Sequence, residues 1–548
     1  MTPPPAVPPP GVPTVPADVP LWKDSSVLTG DLVDHLDRLL PEPAVTAISP
    51  SAYDTAALAT LRSRPAGREL LLPSAAAWLL ANQHADGSWG SPVPTPHDRV
   101  VNTLAAVVAL AELARSGPDG FPEVSRRIGA GVERLHQISR QVRPNDPHET
   151  IGFEFVVPAM LQRARALGLP LPFDSLSWVR DLYERKMSVV PAEAFHRVTT
   201  LAHSLETFAD RWPSSALAGL QAPDGSFGCS PAATAAMYDT LRMHDVSRSE
   251  RALQYLTTAL RATGQGAAPT IFRFRTFDDA WTFHPLAMAG VAPSLLRPHV
   301  RRLAGRGSAH GFGPSDGLPP DADDTGTVLP LLAYCGHQAD LGLLRDFETP
   351  HGYLTFELER GFSASTNVHV LGALLLDPAA MARQLDIVLR FLWDSRSSDG
   401  YWLDKWHLSP YYATCHAIPV LTGLDDRLCG DAVDWVLASQ HADGSWGLAG
   451  GTLEETGYAV NCLLAVQAAY PWARDAAARG ARYLSDRCAD GEDGEQAYPP
   501  LWIGKVLYTP YRVVRAAVLG ARYHYAQMPW AQMPWAADAT PAGSLLGN

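Results

Sequence analysis

An all-α chain built from repeated helix pairs is what this sequence predicts, on three observations. Long Ala/Leu/Val-rich runs such as residues 100–113, VVNTLAAVVALAEL, are strong helix formers with no breaker. Extended alternations of Val, Thr and Tyr are missing, so strands should be few and short. An eight-residue string, QHADGSWG, occurs at 83–90 and again at 440–447.

The helical runs at 298–303 and 327–333 resemble the first in composition, and Gly and Pro fall between such runs. The repeats read WLLANQHADGSWG (78–90) and WVLASQHADGSWG (435–447), with weaker copies LQAPDGSFG (220–228) and SDGYW (398–402). Each full copy is a helix end, a Gln, an Asp-Gly turn and an aromatic. Glycine supplies the left-handed turn position, the Gln can bond the turn's backbone, and the aromatic can stack on it. Any helical array can use Asp-Gly turns; two identical copies this far apart imply one shared unit. Repeated helix pairs imply an α/α toroid of alternating inner and outer helices.

The 548 residues suggest two or more domains, and 46% hydrophobic with 18% charged residues suits a large core. A formal charge of −13 argues against a nucleic-acid partner. The six cysteines are scattered without a C-x-x-C pair, which fits reduced thiols better than disulfides or zinc. Residues 1–20 form a Pro-rich arm of disordered, PPII character with no signal-peptide pattern. No apolar stretch reaches the ~18 residues that span a bilayer. A soluble, cytoplasmic protein without integral membrane association is expected. The tail, 526–548, carries AQMPW twice and receives no function.

The segment 319–332, PPDADDTGTVLPLL, concentrates the chemistry. Two prolines close a loop, and Asp321, Asp323 and Asp324 sit at a helix start, where acids are favoured. Ordinary capping or a carboxylate metal site would also use them. The apolar helix that follows turns them inward, and crowded buried carboxyls cannot all ionise. A carboxyl kept protonated at neutral pH is a proton donor.

This D-x-D-D with its following Thr325 resembles the motif of class II terpene cyclases, and the Gln/Trp repeats resemble their QW motifs. Segments 73–104, 149–158 (ETIGFEFVVP), 224–239 (DGSFGCSPAATAAMYD), 402–414 (WLDKWHLSPYYAT) and 505–514 (KVLYTPYRVV) are similar to the bacterial diterpene branch, the copalyl or labdane-type diphosphate synthases. The resemblance runs from about residue 44 to 522. It implies two α/α barrels, called β and γ. The β domain would take an N-terminal helix near 22–40 (within 21–48) and residues 286–525 with the DADD motif. The γ domain would be the insertion 49–285. It implies that Asp323 protonates the terminal alkene of a prenyl diphosphate, with Asp321 and Asp324 orienting it. Geranylgeranyl diphosphate would become a bicyclic labdane-type diphosphate such as copalyl diphosphate. Farnesyl diphosphate, giving drimenyl diphosphate, uses the same initiation. The DDxxD motif that ionises a diphosphate is missing: Asp278-Asp279 continues as AWT and Asp425-Asp426 as RLC. The diphosphate should therefore be retained for a downstream class I terpene synthase or phosphatase.

A carbocation needs a dry cavity with π faces. Phe277, Trp281, Phe283, Trp402, Trp406, Tyr411 and Tyr412 are candidates; core packing is the commoner role for any one of them, and Trp281 and Trp402 are the preferred cavity residues. Lys405, Lys505 and Arg512 are candidate diphosphate ligands, each otherwise a surface residue. The family uses Mg²⁺ with an acidic stretch ahead of the GFE segment; here it reads NDPHET, leaving Asp146 and Glu149. His284, His369, Asn367 and His407 are candidates for the final base. A squalene-hopene-type cyclase shares the D-x-D-D and QW motifs. A non-catalytic toroid is the reading from another class, but the thioester Cys of such domains is replaced in Asp493-Gly494-Glu495-Gln496, and no zinc set of a prenyltransferase is evident.

Overall fold

The structure is a computed structural model describing residues 30–41, 47–64, 67–116, 122–144, 146–208, 217–357, 359, 361–489, 491 and 493–529. The Pro-rich arm, residues 22–29 of the first expected helix and residues 530–548 of the tail lie outside the described residues.

The helical runs sort into two kinds by which faces they bury. The Val246–Ala262 helix buries one stripe, Ser249, Ala252, Tyr255, Leu256, Ala259 and Leu260, as a surface helix does. The Pro410–Leu421 helix buries every residue except Val420, so it must be enclosed. Helices of the enclosed kind form two rings, and the amphipathic ones wrap them.

The larger ring has six members: Arg275–Met288, Ala322–Tyr334, Ala364–Leu374, Pro410–Leu421, Leu453–Ala465 and Tyr511–Ala526. Each packs on the next, and the last closes on the first. Close approach at the closure needs glycine: a Cβ on Gly520 would lie 2.8 Å from the Pro285 carbonyl oxygen. Outer helices Pro293–Ala304, Ala382–Ser395, Asp426–Ala438 and Arg474–Ala489 surround it, and Gly30–Leu39 packs on Tyr511–Ala526. The smaller ring joins Ala52–Ala59, Pro96–Ser116, Phe153–Ala166, the 3₁₀ segment Thr200–Thr207 and Pro231–His244, which returns to Ala52–Ala59.

Two separate apolar cores fill the rings, and they corrected the expected boundary at 285. Phe272 belongs to the smaller core, while Phe277, Ala280, Trp281 and Phe283 belong to the larger. The Arg275–Met288 helix, expected within the inserted unit, is a member of the larger ring, because its apolar face meets Tyr511–Ala526 and Ala322–Tyr334.

The repeated turns use one hydrogen-bond scheme. Gln83, Gln221 and Gln440 each donate through Nε2 to the turn glycine's carbonyl (2.8, 3.0 and 2.8 Å) and to a carbonyl of the next outer helix. The aromatic's backbone N–H then donates to a threonine of the following inner helix: Trp89 to Thr103, Phe227 to Thr234, Trp402 to Thr414 and Trp446 to Thr456, at 3.0–3.1 Å. Gly444 has φ +89°, and a Cβ there would lie 2.8 Å from the Arg479 carbonyl oxygen, so the turn requires glycine.

Strands among the described residues are two antiparallel pairs of two residues each, Glu348–Thr349 with Gly352–Tyr353 and Trp502–Ile503 with Leu507–Tyr508. The second hairpin wedges between the rings. Ile151 N donates to Gly504 O (2.9 Å), and Leu507 N donates to Asp98 Oδ1 (2.8 Å). No described helix is long and apolar enough to cross a membrane.

Candidate active site

Between the rings lies a cavity of about 550 Å³. The smaller ring contributes Phe155, His203 and Ser204, and the Trp178–Val189 helix packed on it contributes Lys186. The larger contributes Phe277, Asp321, Asp323, Asp324, Trp406, Trp502 and Tyr508. Its lining is mainly apolar and aromatic, with carboxyls at the Asp motif and at Asp146, Glu149, Glu154 and Glu359.

The Asp motif is placed by a helix start. Pro319 and Pro320 hold the approach extended, and Asp321 (φ −142°, ψ 165°) caps the Ala322–Tyr334 helix by accepting from Asp324 N at 2.7 Å. Thr325 belongs to the turn scheme, accepting from Phe312 N at 2.9 Å. Capping and chemistry thus coexist on one residue set. Burial, followed for Asp321 by the charges of Asp324 and Asp323, pushes both carboxyls well above the usual range. The pair therefore retains a proton at neutral pH.

Asp323 sits differently. Its Oδ1 lies 2.6 Å from His369 Nδ1, and His369 Nε2 lies 2.8 Å from His416 Nδ1. Burial, then the neighbouring rings of His369, His284 and His407, hold His416 far below the ordinary histidine range, so it is neutral. His284 is pushed down to about 3, by burial first and His369 second. Trp281 stands over this chain, its ring 5.4 Å from that of His369, and donates Nε1–H to Tyr412 Oη at 2.6 Å. It also stacks behind Phe277 at 4.5 Å, so Phe277, not Trp281, faces the cavity.

Other expected site residues are placed elsewhere. Trp402 is corrected to a turn residue: fully buried, its Nε1–H donates to Leu392 O (2.9 Å), as Trp89 does to Leu79 O and Trp446 to Val436 O. Lys505 is corrected to an inter-ring clamp, completely buried, donating to Ser230 Oγ (2.6 Å), Glu206 Oε1 (2.8 Å) and His203 O (3.0 Å). Arg512 is corrected likewise, paired at 2.6 Å with both Asp278 and Asp279 and bonded to Leu39 O. Neither cation reaches the cavity. Lys405 does line it, paired with Glu359 at 2.5 Å.

Among the expected bases, Asn367 is spent on Tyr353 and Ser363 backbone groups. His407 pairs with Glu454 and stacks on Tyr412. His369 holds the acid itself. His203 was missed by sequence reading. Its Nδ1–H donates to Gly228 O at 2.7 Å, leaving Nε2 as an acceptor, and it lines the cavity. Burial, then Lys505, pushes it down to about 3, so the ring stays neutral. Its partner Gly228 lies 25 positions away, so nothing local in the sequence marks it.

Residues 364–519 match the squalene-hopene cyclase C-terminal domain. A type B diterpene cyclase of Mycobacterium tuberculosis is 32% identical, with 86% of this chain and 95% of the relative covered. An ent-copalyl diphosphate synthase of a Streptomyces strain, KO-3988, is 30% identical over 89% and 94%. Among solved structures, the ent-copalyl diphosphate synthase of Streptomyces platensis superimposes with a TM-score of 0.71 at 30% identity, covering 90% of this chain and 98% of that one.

Proposed function

The chain belongs to the class II terpene cyclases of the bacterial diterpene branch, and from that premise we propose the roles of its residues. The reaction is cyclisation of geranylgeranyl diphosphate to a bicyclic labdane-type diphosphate. One observation carries the assignment of roles: Asp323 lines an aromatic cavity and has a dedicated histidine contact behind it.

Asp323 delivers its proton to the terminal alkene. The carboxylate left behind is stabilised by the hydrogen bond from His369 Nδ1–H, while Asp321 and Asp324, retaining a proton between them, oppose it with one charge instead of two. Phe277, Trp502 and Tyr508 offer π faces that stabilise the cation without attacking it. His203, neutral and fixed with Nε2 as acceptor, suits removal of the final proton, since a carbocation yields its proton even to a weak base. The C–O bond to diphosphate is untouched throughout.

Lys405 and Lys186 are the cavity-lining cations fitted to the diphosphate. Asp146 and Glu149 also line the wall. Asp146 already accepts from His148 N at 2.9 Å, and no cluster of three His, Cys, Asp or Glu side chains among the described residues would cage a metal. These two carboxylates suit the outer side of a Mg²⁺ whose other ligands are phosphate and water. Bound there, Mg²⁺ supplies neutralisation of the diphosphate charge. The retained diphosphate makes a class I terpene synthase or a phosphatase the natural consumer. A cytoplasmic setting fits the six free cysteines.

The test is to incubate purified protein separately with geranylgeranyl diphosphate, farnesyl diphosphate and squalene, with and without phosphatase, and repeat in D₂O. A cyclic alcohol should appear from the geranylgeranyl substrate only after phosphatase treatment, carrying one deuterium. Pyrophosphate release matching product, or turnover of squalene alone, would overturn this reading.

A further inference from the structure

Beyond the acid and its histidine, the larger ring carries a second buried histidine that the reaction scheme leaves idle. Inner helices begin at the cavity end of the ring, with Asp323 two residues into its helix. His369, His416 and His284 stand six, seven and ten residues into theirs. At ~1.5 Å rise per residue these groups step progressively deeper along the ring axis. Such a ring interior is ordinarily filled with apolar side chains. Buried imidazoles there cost free energy unless their nitrogens are matched.

The matching is specific. Asp323 Oδ1, His369 Nδ1, His369 Nε2 and His416 Nδ1 form an unbroken line of contacts at 2.6 and 2.8 Å. A neutral imidazole at His416 can present Nδ1 as an acceptor. His369 can then donate from both nitrogens at once, which only its imidazolium form does. An imidazolium held against Asp323 stabilises the carboxylate formed on proton transfer, and so makes the acid stronger.

We propose that His416 is a positioning residue that keeps His369 doubly donating, and thereby sets the acid strength of Asp323. This rests on the assignment of Asp323 as proton donor. The titratable groups around the pair come from every packed helix: Asp321, Asp323 and Asp324 on 322–334, His284 on 275–288, His407 and Tyr412 around the start of 410–421, and Tyr458 on 453–465. His284 approaches the His416 ring at 5.1 Å and is neutral, so it adds no competing positive charge.

The test compares His416→Asn with His416→Phe. The Asn carboxamide oxygen can take the Nδ1 position and accept from His369; Phe fills the same space without an acceptor. The Phe variant should lose about 10- to 100-fold in kcat, the range for loss of a histidine's outer partner, with KM unchanged. Its alkaline activity limb should move to lower pH, because the charged ring has lost its acceptor. The Asn variant should recover most of kcat and the wild-type limb. Imidazole ¹⁵N shifts of His369, which need no turnover, should report the doubly protonated ring in wild type and Asn but not in Phe. A Phe variant with wild-type kcat and pH profile would overturn the proposal. So would equal losses in both variants, which is what a packing role alone would give. If wild type turns over no prenyl diphosphate, the reading of Asp323 fails first, and the ¹⁵N comparison still decides the role of His416.

Discussion

Replacing Lys505 by Met isolates the contact that fastens the two rings. The ammonium is completely buried and touches Glu206, Ser230 and the His203 carbonyl, all on the smaller ring, with Asp54 at 3.9 Å. Met fills the same volume and removes the charge, leaving Glu206 and Asp54 buried without their cation. Breaking a buried pair from one side costs about 3–5 kcal/mol. The cost depends on pH in a direction fixed by Asp54, whose carboxyl is already raised to about 6, chiefly by burial, with Lys505 the main effect lowering it. A carboxyl with a raised folded pKa binds more protons folded than unfolded between its ordinary value and the raised one. Its stability contribution is present at low pH and lost as pH rises through the folded value. Without Lys505 the folded value climbs further and that loss deepens. Urea unfolding followed by tryptophan fluorescence should therefore show a deficit largest at pH 8 and narrowing towards pH 5, with Glu206→Gln in the same chain restoring part of it. A deficit of equal size at both pH values, or none, would refute the reasoning.

Three further outcomes are expected. Asp323→Asn should fold with wild-type circular dichroism yet lose about 10²- to 10⁴-fold in turnover, the range of general-acid steps; residual activity above a tenth of wild type would remove the residue from that role. His203→Phe should still consume substrate but shift the product, analysed by gas chromatography after phosphatase, towards other alkenes or a water-captured alcohol. Unchanged product at unchanged rate would exclude it as the base. Gly444→Ala should lower stability by about 1–3 kcal/mol, from its positive φ and the clash with Arg479 O, while activity per folded molecule stays constant in paired denaturation and turnover assays.

What the sequence conveyed divides along a physical line. The turns were legible because Gln83, the Asp-Gly turn and Trp89 lie within a single short string, although the carbonyl that receives Gln83 and the threonine that receives the Trp89 N–H lie outside it. Asp321 was legible because a cap bonds three residues away. The ion pairs were not: Lys505 finds Glu206 across 299 positions and Arg512 finds Asp278 across 234. A cation's letter says nothing of a partner that distant, so both looked available for a diphosphate. Trp402 misled differently. It belonged to the weakest repeat copy, SDGYW, and the structure returns it to that repeat by the same Nε1–H bond to the preceding helix. His416 was invisible because its meaning depends on two other inner helices meeting it at the ring axis.

The larger ring is shut by its first and last members, Arg275–Met288 against Tyr511–Ala526. On the ribosome, this makes order of synthesis a safeguard. The smaller ring's helices are all made by residue 262. The DADD segment follows, more than 180 residues before the closing helix begins, given starts at Ala322 and Tyr511. Through that interval the apolar seam of Arg275–Met288 lacks its partner, and towards its end so does that of Leu453–Ala465. The hairpin at 502–508, which supplies Trp502 and Tyr508 to the cavity wall, is also still to come. A truncated or stalled chain therefore holds its acid in a wet, unwalled groove, where water would capture any cation before a ring could form. Only a chain translated almost to its end can cyclise anything.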